Sequence, residues 1–191
     1  MDAISLINLR FVYPDVRRRA FEIREEVHAA TGYWVRVTRG YSSFAEQKAL
    51  YDQGRTTPGK IVTNAKPGMS FHNFGLAVDF AFVGMDPYLE TMAKMRGEAK
   101  ADAVWERVAQ IVEKNGLVSG RRFKSRPDSP HAQDTYGMEL HEVASLYDSG
   151  GLPAVWAQCD KIRGVQGEWS PETLPGVESR VDSLKPETGG V

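Results

Sequence analysis

Two short segments hold the residues best suited to chemistry. The first is Ser70-Phe71-His72-Asn73-Phe74-Gly75-Leu76-Ala77-Val78-Asp79, and the second is Asp128-Ser129-Pro130-His131. In the first, an imidazole comes seven residues before a carboxylate, and Gly75 between them lets the backbone turn at low steric cost. His131 can complete a set of two histidines and one carboxylate. Zinc takes such a set with a water in the fourth position, which marks a catalytic rather than a structural site. A water held that way has a pKa of roughly 7. Asp128 stands three residues before His131, and Pro127 and Pro130 keep that stretch out of regular helix. It can face the water without ligating the metal and pass a proton as general base and acid. Taken singly, these residues also have plainer readings: His72 as a loop histidine bonded to backbone, and Asp79 as a buried carboxylate paired with an arginine.

Composition narrows the chemistry. The 191 residues contain one cysteine, Cys159, so an intramolecular disulfide and a multi-thiolate zinc knot are both excluded. A transition metal must be held by histidine and carboxylate. Of the four histidines, His28 falls on a helix pattern and His141 sits beside Glu139 and Glu142 on another; both read as scaffold. A net charge of -1 argues against a basic nucleic-acid binder and a polybasic membrane binder. No window is apolar enough to insert in a membrane. The first ten residues lack the marks of a secretory signal, which predicts a protein made in the cytoplasm. If its substrate lies outside, a separate pore must release it.

The elements that position these residues follow from local pattern. A helix is expected over 14–30, a strand over 33–38, and a helix from Ser43, with Glu46 completing a capping box, to near Gly54. Residues 55–69 form a long loop, of a length that is often functional. A strand over 76–82 carries Asp79 in an apolar run. A helix spans 98–115 with Gly116 as its cap. Short strands and turns fill 117–133, and helices are expected over 137–147 and 153–162. Few, short strands among helices predict an α+β domain: a small antiparallel sheet bearing the metal site, with helices packed on it. This catalytic domain covers 1–165. Residues 166–191, rich in Gly, Pro, Ser and Glu, are expected to be a mobile tail with no wall-binding module.

At these same residues the chain resembles a known family. Ser-x-His-x-x-Gly-x-Ala-x-Asp followed by Asp-x-x-His is similar to the zinc-dependent peptidoglycan peptidases of the D-alanyl-D-alanine carboxypeptidase superfamily, which share a Hedgehog-like fold. Residues 40–56, 58–65 and 120–128 resemble the phage endolysin branch, whose members are L-alanyl-D-glutamate endopeptidases. The likeness covers roughly residues 10–150. It implies Zn2+ on His72, Asp79 and His131, Asp128 as general acid and base, and Ser70 and Gln47 along the substrate site. It also implies a peptidoglycan stem peptide as partner and release through a holin-type pore; we expect a monomer. Three positions depart from the branch. Ser42 stands where the branch has an arginine that holds substrate and charged intermediate. Val118-Ser119 replaces a Trp-Gly pair, and Ala132 replaces a Phe. Arg39 is a candidate to stand in for the missing arginine, although three residues along an extended segment put it on the opposite face from Ser42. A D,D- or L,D-carboxypeptidase on the same scaffold, and a weakly active or non-catalytic wall-binding or phage structural protein, are the rival readings.

Overall fold

The computed structural model describes residues 2–84, 86, 88–89 and 98–165. The tail expected over 166–191 lies outside the described residues. The architecture is the expected α+β one. Four antiparallel strands, β1 (Val35–Arg39), β2 (Ala77–Phe82), β3 (Val118–Ser119) and β4 (His131–Gln133), lie in the order β1-β2-β4-β3. Helices α1 (Ala3–Asn8), α2 (Pro14–Thr31), α3 (Phe44–Asp52), α4 (Glu98–Lys114) and α5 (Leu140–Arg163) pack around them.

Local chemistry explains most boundaries. Pro14 starts α2 with its φ already helical, and Gly32, at φ 75°, ends it in the left-handed conformation. Along α2, Val16, Ala20, Ile23 and Val27 recur at helical spacing and are all buried. Ser43 and Glu46 form the expected capping box at the start of α3. The central strand β2 is buried along both faces except at Asp79, which is half-buried. Phe74, Leu76, Phe80, Tyr13 and Trp156 fill the core beneath it. The Trp156 indole donates to the Phe74 carbonyl at 3.0 Å, tying α5 to the turn that carries His72.

Three features differ from the sequence reading. Helix α1 was not anticipated, because six residues are too few to show a period. It covers the free edge of β1: the Val37 amide donates to Ser5 Oγ at 3.0 Å, and Asn8 Nδ2 donates to the Val37 carbonyl. An edge strand is thereby kept from pairing with another chain. The two C-terminal helices adjoin as one element, broken at Gly150 and Gly151, where Gly151 has φ 67°. Lastly, β1 begins at Val35 and carries a register shift. Val37 pairs with Phe80, but Arg39 pairs with Asp79, so two steps along β1 match one along β2. A bulge of this kind re-aims the side chains beyond it.

Candidate metal centre

Adjacent antiparallel strands place directly opposed residues on one face. Asp79 on β2 is opposed by His131 on β4 and by Arg39 on β1, so three strands set a row of Arg39, Asp79 and His131 across the sheet. His72 arrives from outside the sheet, on a 3-10 turn (Phe71–Phe74) that Ser70 caps with its side chain. Gly75 closes that turn at φ 69°. A Cβ there would lie 2.4 Å from the Phe11 carbonyl oxygen, so the turn requires glycine for space as well as for conformation.

The three expected ligands meet at one point. His72 Nε2 lies 3.1 Å from Asp79 Oδ1 and 3.2 Å from His131 Nδ1, and His131 Nδ1 lies 3.0 Å from Asp79 Oδ1. Outer partners fix which ring nitrogens face inward. His72 Nδ1 sits 2.7 Å from the Gly40 carbonyl oxygen, which can only accept, so Nδ1 bears the proton. His131 Nε2 donates to Gln133 Oε1 at 2.8 Å. Both inward nitrogens therefore present lone pairs to each other and to a carboxylate oxygen. Either a proton or a metal must sit among them. Ligand atoms about 2.0–2.1 Å from a tetrahedral zinc stand about 3.3 Å apart, close to the spacings here. The donor set fits a metal ion, and the Gly40 and Gln133 contacts are the outer bonds that orient metal-binding imidazoles.

The electrostatics agree. Burial lowers the pKa of His72 and outweighs the nearby charge of Asp79. Burial alone raises the Asp79 carboxyl, but His72 and His131 together outweigh it and hold the group far below the usual carboxylate range. His72 and His131 are buried, whereas the Asp79 side chain is 20% exposed, so the cluster is open on its carboxylate side.

Asp128 is exposed, on the segment that leads into His131. Its amide donates to the Gly120 carbonyl at 2.9 Å, and its own carbonyl accepts from the His131 amide at 3.2 Å. Gly120 has no side chain for a spatial reason: a Cβ would fall 2.6 Å from the Asp128 carbonyl oxygen and 2.7 Å from His131 Cβ. Loss of hydration on the inner side of Asp128, and then the charge of Asp79, raise its carboxyl above the ordinary range. His131, His72 and Arg39 oppose that rise.

Arg39 and Ser42 are not on opposite faces. Arg39 Nε donates to Ser42 Oγ at 2.8 Å, and Arg39 Nη2 donates to Gln47 Oε1 at 2.7 Å. The strand ends at Arg39, so the alternation assumed for an extended segment does not continue to Ser42. Gln47 is buried and its Nε2 donates to the Ala65 carbonyl, anchoring the long loop. Ser42 is buried, with its amide donating to the His72 carbonyl. Arg39 Nη1 has no partner among the described residues, and its charge acts on both His72 and Asp128. Ala132, where the branch has Phe, is fully buried, opposed by Val78 and Ser119. His141 is exposed on α5, and His28 stacks on Trp34 at 3.8 Å, away from the cluster.

Sequence reasoning missed the two orienting partners. Gln133 comes two residues after His131 on a strand, a same-face spacing that was available to read. The Gly40 carbonyl has no side-chain signature.

Such a fold and donor set fit a metal-dependent protein with its metal on three side chains. Comparison with known proteins gives the family. The family described as D-alanyl-D-alanine carboxypeptidase matches residues 63–134, a span containing His72, Asp79, Asp128 and His131. The peptidoglycan L-alanyl-D-glutamate endopeptidase CwlK of Bacillus subtilis (strain 168) is 36% identical over 122 residues, covering 64% of this chain and 72% of CwlK. Among solved structures, the L-Ala D-Glu endopeptidase ChiX of Serratia marcescens aligns at TM-score 0.44 and 24% identity, over 71% of this chain and 90% of ChiX. The D,D-pentapeptidase VanY of a VanB-type resistance cassette, solved with Zn(II), aligns at TM-score 0.47 and 16% identity, over 75% of this chain and 83% of VanY. The chain belongs to the D-alanyl-D-alanine carboxypeptidase family and is a metallopeptidase. No described helix is long and apolar enough to cross a membrane.

Proposed function

We propose that the protein is a zinc-dependent endopeptidase that hydrolyses the L-Ala–D-Glu bond of peptidoglycan stem peptides. The observation that carries this reading is the convergence of His72, Asp79 and His131 on one point. The likeness to CwlK supports the choice of bond. Bound Zn2+ supplies Lewis-acid chemistry, polarising a carbonyl and acidifying a water. Asp128 accepts the proton of the attacking water and returns it to the departing amine; its raised pKa suits a group that must do both. Ser70 caps the turn beneath the site, and Gln47 holds Arg39 in place.

Arg39 takes the role of the missing arginine at position 42. Its Nη1 is turned to neither Ser42 nor Gln47 and offers a charged donor to the substrate or to its developing oxyanion. Losing one such donor costs about a hundredfold in kcat or more. The expected result for Arg39→Ala is therefore a fall of about a hundredfold in kcat/KM, with metal content unchanged by atomic absorption. Activity equal to wild type would return that role to an unassigned group.

The bond is tested by mass spectrometry of digested muropeptides. A new N-terminal D-Glu supports the endopeptidase. Loss of terminal D-Ala replaces it with a carboxypeptidase, and an undigested sacculus with zinc bound replaces it with a non-catalytic wall binder. The likeness of residues 40–65 and 120–128 to the endolysin branch supports a phage or prophage origin, with the protein made in the cytoplasm and acting as a monomer after release through a holin-type pore. Expression alone should leave host cells intact, and co-expression with a holin should lyse them.

A further inference from the structure

Asp128 also forms part of the wall of a cavity of about 630 Å³. Its described lining includes Tyr88, Asp102, Trp105, Arg121 and Ser129. The wall is built rather than incidental. Trp105 is buried against Phe82 and donates its indole N–H to the Tyr88 carbonyl at 3.2 Å, while the Tyr88 side of the cavity is exposed. Arg121 is held by three partners: Nε on Glu106, Nη1 on Ser129 and Nη2 on Asp102.

Position says which part of a substrate this cavity receives. A group that protonates the leaving amine faces the amine side of the scissile bond. A cavity sharing that group as wall therefore takes the residues on the C-terminal side of the bond. For cleavage between L-Ala and D-Glu, those residues are D-Glu and the diamino acid after it. Chemistry says what the cavity prefers. Arg121 spends three of its five N–H groups on Glu106, Ser129 and Asp102, so its charge is already shared between two carboxylates. Asp102, 64% exposed, accepts through Oδ1 and keeps Oδ2 without a partner among the described residues. The lining thus sets two carboxylates, Asp102 and Asp128, against one guanidinium. Exposed Tyr88 beside Trp105 adds aromatic surface of the kind that attracts a cation or covers its alkyl stem.

We propose that this cavity is a specificity subsite for the ω-ammonium side chain of the diamino acid after D-Glu, with Asp102 as its anionic contact. The inference rests on the proposed L-Ala–D-Glu cleavage. L-Lys and meso-diaminopimelate share the ω-ammonium group, so both serve as probes.

The test titrates the full-length, zinc-loaded protein with γ-D-Glu–L-Lys, its Nε-acetyl derivative and γ-D-Glu–meso-diaminopimelate, read by NMR. Nε-acetylation is expected to weaken binding by about fivefold, the scale of an exposed ion pair. Asp102→Asn, a surface change on α4, should weaken the free-amine dipeptides to the level of the acetylated one and leave the acetylated one unchanged. The tighter of the two free-amine dipeptides identifies the source. Equal binding of free and acetylated forms, binding of neither free-amine dipeptide, or no effect of Asp102→Asn overturns the subsite. Cleavage of the intact stem peptide is scored separately. A stem that is not cut between L-Ala and D-Glu, by a protein that still discriminates the dipeptides, removes the proposed bond and not the subsite.

Discussion

Asp128→Ala is expected to lower kcat by about a thousandfold while the metal stays bound. General acid and base catalysis by a positioned side chain contributes about 10²–10⁴, and Asp128 is asked to act twice, on the water and on the amine. Its place favours a large effect. It is tied to the site by backbone bonds to Gly120 and His131 rather than by its carboxyl, so removing the carboxyl leaves its segment held. It is not one of the three atoms that converge on the metal position. Truncation therefore leaves His72, Asp79 and His131 with their own partners at Gly40 and Gln133. Steady-state kinetics on a defined stem peptide and zinc content of the same sample check the two halves together. A variant with full activity removes Asp128 from the chemistry, and one that loses zinc makes it a structural neighbour of the ligands.

Much of this site was legible in the chain because its signals are short. Ser43 with Glu46, Pro14, Gly75 and Gly116 each act within a turn of their own position, and each has the expected effect. The cluster of His72, Asp79 and His131 was legible as residue types with a glycine between two of them. Arg39 was harder. Its relation to Asp79 depends on a bulge between Val37 and Arg39, and nothing in Val-Thr-Arg marks one. Without the bulge, Thr38 rather than Arg39 would oppose Asp79, since a slip of one residue exchanges the faces of a strand. The departure at Ser42 then has a physical reading. Ser42 is short, buried and bonded to Arg39 Nε, so under the proposed function the cation is supplied by the strand instead of by the turn. Helix α1 escaped for a related reason: its value lies in covering the β1 edge, a tertiary relation that six residues cannot announce.

Asp79→Ala is expected to abolish activity and to weaken zinc binding by more than about a hundredfold, since loss of an outer-shell partner alone costs about 10–100-fold. Asp79 supplies the only anion among the three converging ligands, and its carboxyl is held ionised far below the usual range, ready for a cation. Removing it leaves two buried imidazoles whose inward nitrogens face each other at 3.2 Å. These can share one proton but no longer offset a divalent charge. Thermal stability separates this loss from simple misfolding. A ligand that binds only the folded state stabilises by about 4.1 kcal/mol at a thousand times its Kd. Wild type should therefore gain several degrees in Tm when zinc is added and lose them with a chelator. The variant should show a cooperative transition that zinc does not move. The zinc-dependent increment is the decisive quantity, because the absolute Tm of Asp79→Ala also reflects the ion pairing lost between Asp79 and the two histidines. Stoichiometric zinc in an active Asp79→Ala protein would falsify the metal centre as assigned, and an unchanged increment would move the metal elsewhere in the fold.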